Sequence, residues 1–286
     1  MARIILQQKG FPSSPQMILS GLDFYYYLRI VSFLILPIMR QFGLIGRTLS
    51  HSFSQTYFNQ KFYSQSLTEY QYDLFELKTV DELPALLAAH PNLVGLNVTV
   101  PYKESVVTYL DDLAPSANRV GAVNVIERMA DGHLRGHNTD YVGFIQSLRT
   151  FFPNPHGARA LVLGAGGAAK AVTTALQDLA IPHWSVTRDP LGAGLTYTDL
   201  TPQLVAAHSL IINATPVGTY PHINECPLLP YQALTANHYL YDLVYNPTET
   251  LFMTKGKAAG AQVKNGFEML CLQAEAAWDI WHERVS

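Results

Sequence analysis

The sequence predicts an α/β protein in two domains, and three observations carry the prediction. From Phe42 onward, short apolar runs alternate with amphipathic stretches in a β-α-β-α-β pattern, which calls for a largely parallel sheet. A joint containing proline and glycine, Phe151 to Gly157, interrupts the pattern near the middle of the chain. Beyond it a buried strand runs into Gly164-Ala165-Gly166-Gly167-Ala168-Ala169 and then a helix, the context a G-x-G-x-x-A turn needs in order to hold a pyrophosphate. The expected layout is a mostly parallel α/β domain over 39–150, a Rossmann-type dinucleotide-binding domain over 151–266, and a last helix, within 267–286, that returns to the first domain.

At 286 residues the chain is long enough for two cores. Its 48% hydrophobic and 14% charged content describes a soluble globular protein without a disordered-tail signature. A net charge of -3, with no Lys/Arg cluster, argues against a nucleic-acid surface. Cys226 and Cys271 are far apart and lack metal-type spacing, so they read as free thiols in a reducing compartment.

Residues 1–38 stand apart. Phe24 to Met39 is an apolar, aromatic run broken by Arg29 and Pro37, shorter than the about 20 residues a membrane span wants. No small-residue cleavage site follows between Leu36 and Leu44. Met39 directly precedes a convincing strand, so 1–38 reads as an extension from a mis-called start, poorly packed; a membrane anchor is the minority alternative.

The first strand, Phe42 to Gly46, leads into Arg47-Thr48-Leu49-Ser50-His51-Ser52-Phe53-Ser54 and an amphipathic helix through Tyr57, Phe58, Phe62 and Tyr63. Ser52 and Ser54 either cap that helix or hold a carboxylate or phosphate at its start; His51 reads as structural. Tyr70 to Leu77 is a second strand, and Val80 to His90 a helix with Leu83, Leu86 and Leu87 inward. Leu93 to Val98 is the third strand. Asn97 and Thr99 share one face of the extended segment, and Pro101 suits the first position of a helix. Lys103 would then stand in a first helical turn, where the macrodipole disfavours a cation. It is either a solvated lysine or a proton donor. Ligands collect at the carboxyl ends of such strands, where Ser52, Ser54, Asn97, Thr99 and Lys103 all fall.

Arg119 to Ile126 reads as a short strand interrupted by Asn124, which is tied to backbone or offered to a ligand. Asp131-Gly132 signals a hairpin, and Gly136 to Gly143 opens a helix. Asp140 there is a plain helix-start carboxylate or the partner that holds Lys103. In the second half, Arg159 to Leu163 is a strand, Lys170 to Leu179 a helix, and His183 to Thr187 the next strand, ending in Thr187-Arg188-Asp189. Arg188 suits a 2′-phosphate and favours NADP, with Asp189 a mixed signal. Leu210 to Gly218 is a further strand and turn, and Tyr239 to Val244 another. The chain closes with Gly266 and an apolar helix through Trp278 and Trp281.

Taken together, these residues resemble the shikimate dehydrogenase family from Phe42 to about Glu283. Ser52 and Ser54 look like its carboxylate clamp. Asn97-Val98-Thr99 with Lys103 looks like its substrate and catalytic strand, Asn124 like its substrate asparagine, and Asn138-Thr139-Asp140 like its catalytic aspartate segment. Gly164, Ala165, Gly166, Gly167 and Ala168 match its dinucleotide turn, and Asn213, Ala214 and Thr215 the strand end beside the nicotinamide. Tyr245 with Pro247 resembles the motif near the cleft. Gly266 and Gln273 resemble the returning C-terminal segment.

The resemblance implies reversible reduction of 3-dehydroshikimate by NADPH to shikimate, within chorismate and aromatic amino acid biosynthesis. Lys103 and Asp140 would be catalytic. Ser52, Ser54, Asn97, Thr99, Asn124, Tyr245 and Gln273 would bind substrate, while the glycine turn, Arg188, Asn213 to Thr215 and Gly266 would hold the cofactor. It implies a cytoplasmic monomer or homodimer working on small molecules, without nucleic acid, membrane or metal. Departures are Gln55 for a proline, Pro216 and Thr219 for a serine and a methionine, and a phosphate clamp reduced to Thr187-Arg188-Asp189. Arg188 and Ile212 are also only 24 positions apart, short for the family's β-α-β unit. The alternatives are a quinate/shikimate dehydrogenase that uses NAD, or a non-catalytic sensor of shikimate-like acids.

Overall fold

The computed structural model of the chain describes residues 39–50, 52–188 and 194–282. The extension over 1–38, the structural reading of His51 and the acid of Asp189 lie outside them. β1 (Arg40–Gly46), α1 (Phe53–Ser64), β2 (Tyr70–Glu76), α2 (Leu83–Ala89) and β3 (Leu93–Val98) follow the expected alternation. β1 pairs parallel with both β2 and β3, each pairing reached through a helical crossover. Phe58 and Phe62 are buried on α1, but Tyr63 is 89% exposed, so the apolar stripe is narrower than the sequence suggests.

Past β3 the chain departs from expectation twice. No α-helix begins at Pro101; turns lead into a 3-10 helix over Ser105–Tyr109. The carbonyl of Lys103 accepts from Val123 N at 2.7 Å, so it is withdrawn from any helical ladder. Lys103 therefore does not stand in a first helical turn. Nor is Arg119 to Ile126 one strand. After β4 (Asp112–Leu113), Arg119 and Val120 close α3 (Pro115–Val120), which Gly121 ends in the left-handed conformation; Asn124 sits just before β5 (Val125–Arg128). β5 forms the expected hairpin with β6 (Leu134–His137). The six-stranded sheet runs β2-β1-β3-β5-β6-β4, with β5 antiparallel to both neighbours.

α4 (Asp140–Phe151) leads to the second half: β7 (Ala160–Leu163), α5 (Gly167–Asp178), β8 (His183–Thr187), β9 (Leu195–Thr196), α6 (Pro202–Ala206), β10 (Leu210–Asn213), β11 (Tyr239–Asp242), α7 (Leu251–Ala258) and β12 (Gln262–Lys264). These strands make a parallel sheet ordered β12-β11-β10-β7-β8-β9. Its central strands β7 and β10 are buried throughout, as expected of a sheet covered on both faces. The short spacing after Arg188 is met by α6, which has only five residues.

The last helix, α8 (Phe267–His282), returns as expected. Met269 joins the core formed by α4, α5 and the second sheet, while Ala274, Ala277, Trp278 and Trp281 pack with Phe42 and Tyr72 of the first and with Phe58 and Phe62 of α1. Trp281 occupies the space a side chain at Gly95 would fill and donates its indole N–H to Ile126 O at 3.2 Å. Among the described residues no helix is long and apolar enough to cross a membrane.

Candidate active site

The β1–α1 turn is the first wall of a cavity of about 410 Å³. Thr48, Ser50, Ser52 and Ser54 all line it. Ser52 holds the N-cap position of α1 yet makes no capping hydrogen bond, and its Oγ is buried without a partner. Capping therefore does not account for Ser52. A buried hydroxyl left unpaired costs about 1–3 kcal/mol unless something outside the chain satisfies it, and an anion would.

The end of β3 supplies the second wall, through Asn97, Val98 and Thr99. Asn97 and Thr99 both reach the cavity, but Val98 between them does too, so alternation alone does not select the lining. Lys103 follows from the turn after β3, and its Nζ meets Asp140 Oδ2 at 2.5 Å, with the side chains 17% and 9% exposed. Asp140 is the first residue of α4, where the helix dipole favours a carboxylate, and it is also the partner of Lys103; the two readings hold together.

Asn124 ties these groups to each other. Its Nδ2 donates to Thr139 Oγ1 at 2.9 Å, Asp140 Oδ1 at 3.0 Å and, more weakly, Gln273 Oε1 at 3.3 Å. Its Oδ1 accepts from Thr139 N at 2.7 Å. Asn138 zips the same two segments by donating to Ala122 O and accepting from Tyr141 N. Asn124 is thus both tied to backbone and offered to the cavity. Tyr245 beyond β11, Gly266 beyond β12, and Met269, Leu270 and Gln273 of α8 close the far side.

The glycine turn lies alongside. Gly164 adopts φ +116, and a side chain on it would crowd the backbone of Ala214. Gly166 faces open space at the N-terminus of α5, whose first turn no side chain caps. Free amide N–H groups at a helix start, beside room for a ligand, suit a pyrophosphate. A side chain on Gly167 would press on Lys103 Cβ at 3.1 Å, so the turn sits directly against the lysine. Ala168 reaches into the cavity itself. Where β8 ends, Thr187 Oγ1 is buried without a partner and Arg188 is exposed; both suit the ribose phosphate end of a dinucleotide.

Asn213 is fully buried. It donates to Asp242 Oδ1 at 2.9 Å and accepts from Thr215 N and Oγ1, so its side chain works by shaping the turn of Ala214 and Thr215. Burial pushes Asp242 up to about 6, against hydrogen bonds from Thr250, Val244 N and Asn213.

The cavity thus gathers Ser52, Ser54, Asn97, Thr99, Lys103, Asn124, Asp140, Tyr245 and Gln273, with Ala168 and Gly266. Gly164, Ala165, Gly166, Gly167, Arg188, Asn213, Ala214 and Thr215 lie outside its lining, along the carboxyl ends of β7, β8 and β10. Sequence reasoning missed Phe53, which packs edge-on to Tyr245 and Phe267 at the cavity wall. It also missed Tyr72 and Asp242, whose only sequence signal was burial in a strand. Among the described residues no group of His, Cys, Asp and Glu could hold a metal ion.

Comparison with known proteins matches residues 44–126 to the family described as "Shikimate dehydrogenase substrate binding domain". A shikimate dehydrogenase (NADP(+)) of Moorella thermoacetica is 37% identical over 264 residues, covering 85% of this chain and 88% of that protein. The shikimate 5-dehydrogenase of Thermus thermophilus, solved with NADP(H) and shikimate, superposes with a TM-score of 0.73 at 32% identity, over 85% of this chain and 93% of that one. The quinate dehydrogenase of Corynebacterium glutamicum, solved with NAD, superposes with a TM-score of 0.75 at 28% identity, over 85% and 93%.

Proposed function

The chain belongs to the shikimate dehydrogenase family, and from that premise we propose that it catalyses the reversible, NADP-dependent interconversion of shikimate and 3-dehydroshikimate. It is an oxidoreductase with NADP(H) as its cofactor, serving aromatic biosynthesis. The observation that carries the reading of the site is the Lys103–Asp140 pair at 2.5 Å, set between an unpaired serine hydroxyl and an open dinucleotide turn.

The first sheet with α8 forms the substrate side and the second sheet the cofactor side, as two domains over 39–150 with 267–286, and 151–266. Ser52 and Ser54 hold the ring carboxylate, which fixes the orientation of the substrate before reaction. Asn97, Thr99, Asn124 and Gln273 read ring hydroxyls, and Tyr245 flanks them. A buried group of this kind left unpaired by a wrong substrate is costly, so the set discriminates. The glycine turn at the N-terminus of α5 holds the pyrophosphate, Thr187 and Arg188 the adenosine phosphate end, and Ala214 and Thr215 the nicotinamide end.

Bound NADPH supplies the hydride that reduces the carbonyl carbon. As that bond forms, charge grows on the carbonyl oxygen, and Lys103 Nζ donates a proton to it. Asp140 Oδ2 keeps Nζ in place, while Oδ1 is held by Asn124, so the pair is positioned before substrate arrives. Gly167 lets the lysine stem lie against the dinucleotide turn, bringing proton donor and cofactor side together. In the oxidative direction Lys103 Nζ takes the hydroxyl proton.

The test is NADPH formation from shikimate by the purified protein, with NADP and NAD supplied in parallel. Turnover that prefers NADP is the expected result. Turnover with NAD alone would keep the enzyme and remove Arg188 from cofactor choice. Shikimate binding with no turnover would replace the enzyme by a sensor.

A further inference from the structure

Beneath the substrate cavity, and outside its lining, lies Tyr72 of β2. It is fully buried, stacked on Phe58 at 4.7 Å and 11°, and Asn59 holds its backbone at both N and O. Its hydroxyl donates to Asn97 Oδ1 at 2.6 Å.

The polarity of that bond follows from its neighbours. Asn97 Nδ2 points to the carbonyl of Asn124 at 3.4 Å, and a carbonyl only accepts. Asn97 must therefore turn its NH2 group towards Asn124 and its oxygen towards Tyr72. One N–H is spent on a long bond, and the other remains for the cavity that Asn97 lines. Tyr72 thus holds, from outside the lining, a side chain that lines the cavity. Desolvation holds that phenol's pKa well above its ordinary value, so it stays a neutral donor across the working range of pH.

We propose that Tyr72 is a positioning residue for substrate recognition, acting through Asn97: its hydroxyl locks the amide so that an N–H donor faces the substrate ring. The proposal rests on the shikimate reading of the cavity. Without the lock, the amide can rotate to present its oxygen, and recognition of a hydroxyl oxygen is lost.

Tyr72→Phe keeps the ring and its stacking and removes only the hydroxyl. Its KM for shikimate should rise ~10-fold, the worth of one hydrogen bond, while kcat and the KM for NADP stay within ~3-fold. In an Asn97→Ala background the same substitution should add less than ~3-fold, because the group it acts through is gone. An unchanged KM in Tyr72→Phe, or an equal ~10-fold rise in both backgrounds, would overturn the positioning role. Should Tyr72→Phe fail to fold with the Asn97 oxygen orphaned, the double variant, which leaves no orphan, is compared with Asn97→Ala alone, and a further rise of ~10-fold between them would likewise overturn it. The shikimate-induced rise in Tm is measured for all four proteins alongside. Absence of wild-type turnover would then overturn the enzyme reading alone, and the Tm shifts would still decide the role of Tyr72.

Discussion

The short contact between Lys103 and Asp140 combines two largely buried charges with a third group, Asn124, that has no charge and three acceptors within reach. Removing the lysine leaves Asp140 its bond from Asn124 and the favourable N-terminus of α4, so the fold should survive while the proton donor is lost. Lys103→Ala is expected to lower kcat by ~10² or more, with KM for shikimate changed by less than ~3-fold. Steady-state kinetics check this, and a wild-type kcat would remove Lys103 from the chemistry. Lys103 and Asp140 were legible as candidates, one just past a strand end and the other at a helix start, but their pairing was not, because it joins positions 37 apart. Tyr72 was not legible, because strand alternation marks it only as core. A tyrosine that packs and a tyrosine that also orients a neighbour leave the same trace in a sequence.

Asp242 joins elements rather than residues. It accepts from Asn213 on β10, from Val244 N beyond its own strand, and from Thr250, the N-cap of α7. Burial raises its pKa to about 6, above the unfolded carboxylate range, so its contribution favours the folded state while the native group keeps a proton that the unfolded one loses more readily. That contribution is fully present below the unfolded value and is lost as pH rises through the folded one. The group should cost the protein roughly 3 kcal/mol of stability between about pH 4 and pH 6. Asp242→Asn should flatten that part of the profile in chemical denaturation; an unchanged slope would show that Asp242 titrates normally. Element boundaries were where the sequence misled. Arg119 to Ile126 has the composition of a strand, yet a hydrogen bond from Val123 N to the distant Lys103 carbonyl and the left-handed Gly121 divide it. No local window contains that partner.

Arg40–Ser286 forms one unit that contains both sheets and every residue lining the cavity. A protein beginning at Met39 should therefore keep kcat/KM for shikimate within ~3-fold of the full chain. A larger loss would give residues 1–38 a part in the activity. The two sheets are held to one another through α8, whose first turns pack with α4 and the second sheet and whose last turns lie on the first. The returning helix was legible from its length and its two tryptophans. The hole at Gly95 that receives Trp281 was not, because a glycine in a strand signals close approach without saying what approaches.

The sequence by itself determined the alternation of strands and helices, the parallel second sheet, the glycine turn, and the set of polar residues at strand ends. Each of these follows from local periodicity or from a motif whose mechanism acts within a few residues. Only the tertiary structure decided that Ser52 is free of capping, that Asp140 serves a helix start and Lys103 at once, and that Asn97 presents a donor because Tyr72 and Asn124 hold its other side. Those outcomes depend on hydrogen-bond partners brought together across the fold, from separations of 25 residues for Tyr72 and Asn97 to 149 for Asn124 and Gln273. A hydrogen bond is decided by the distance and direction of its two atoms, and spacing along the chain does not carry that information across a fold.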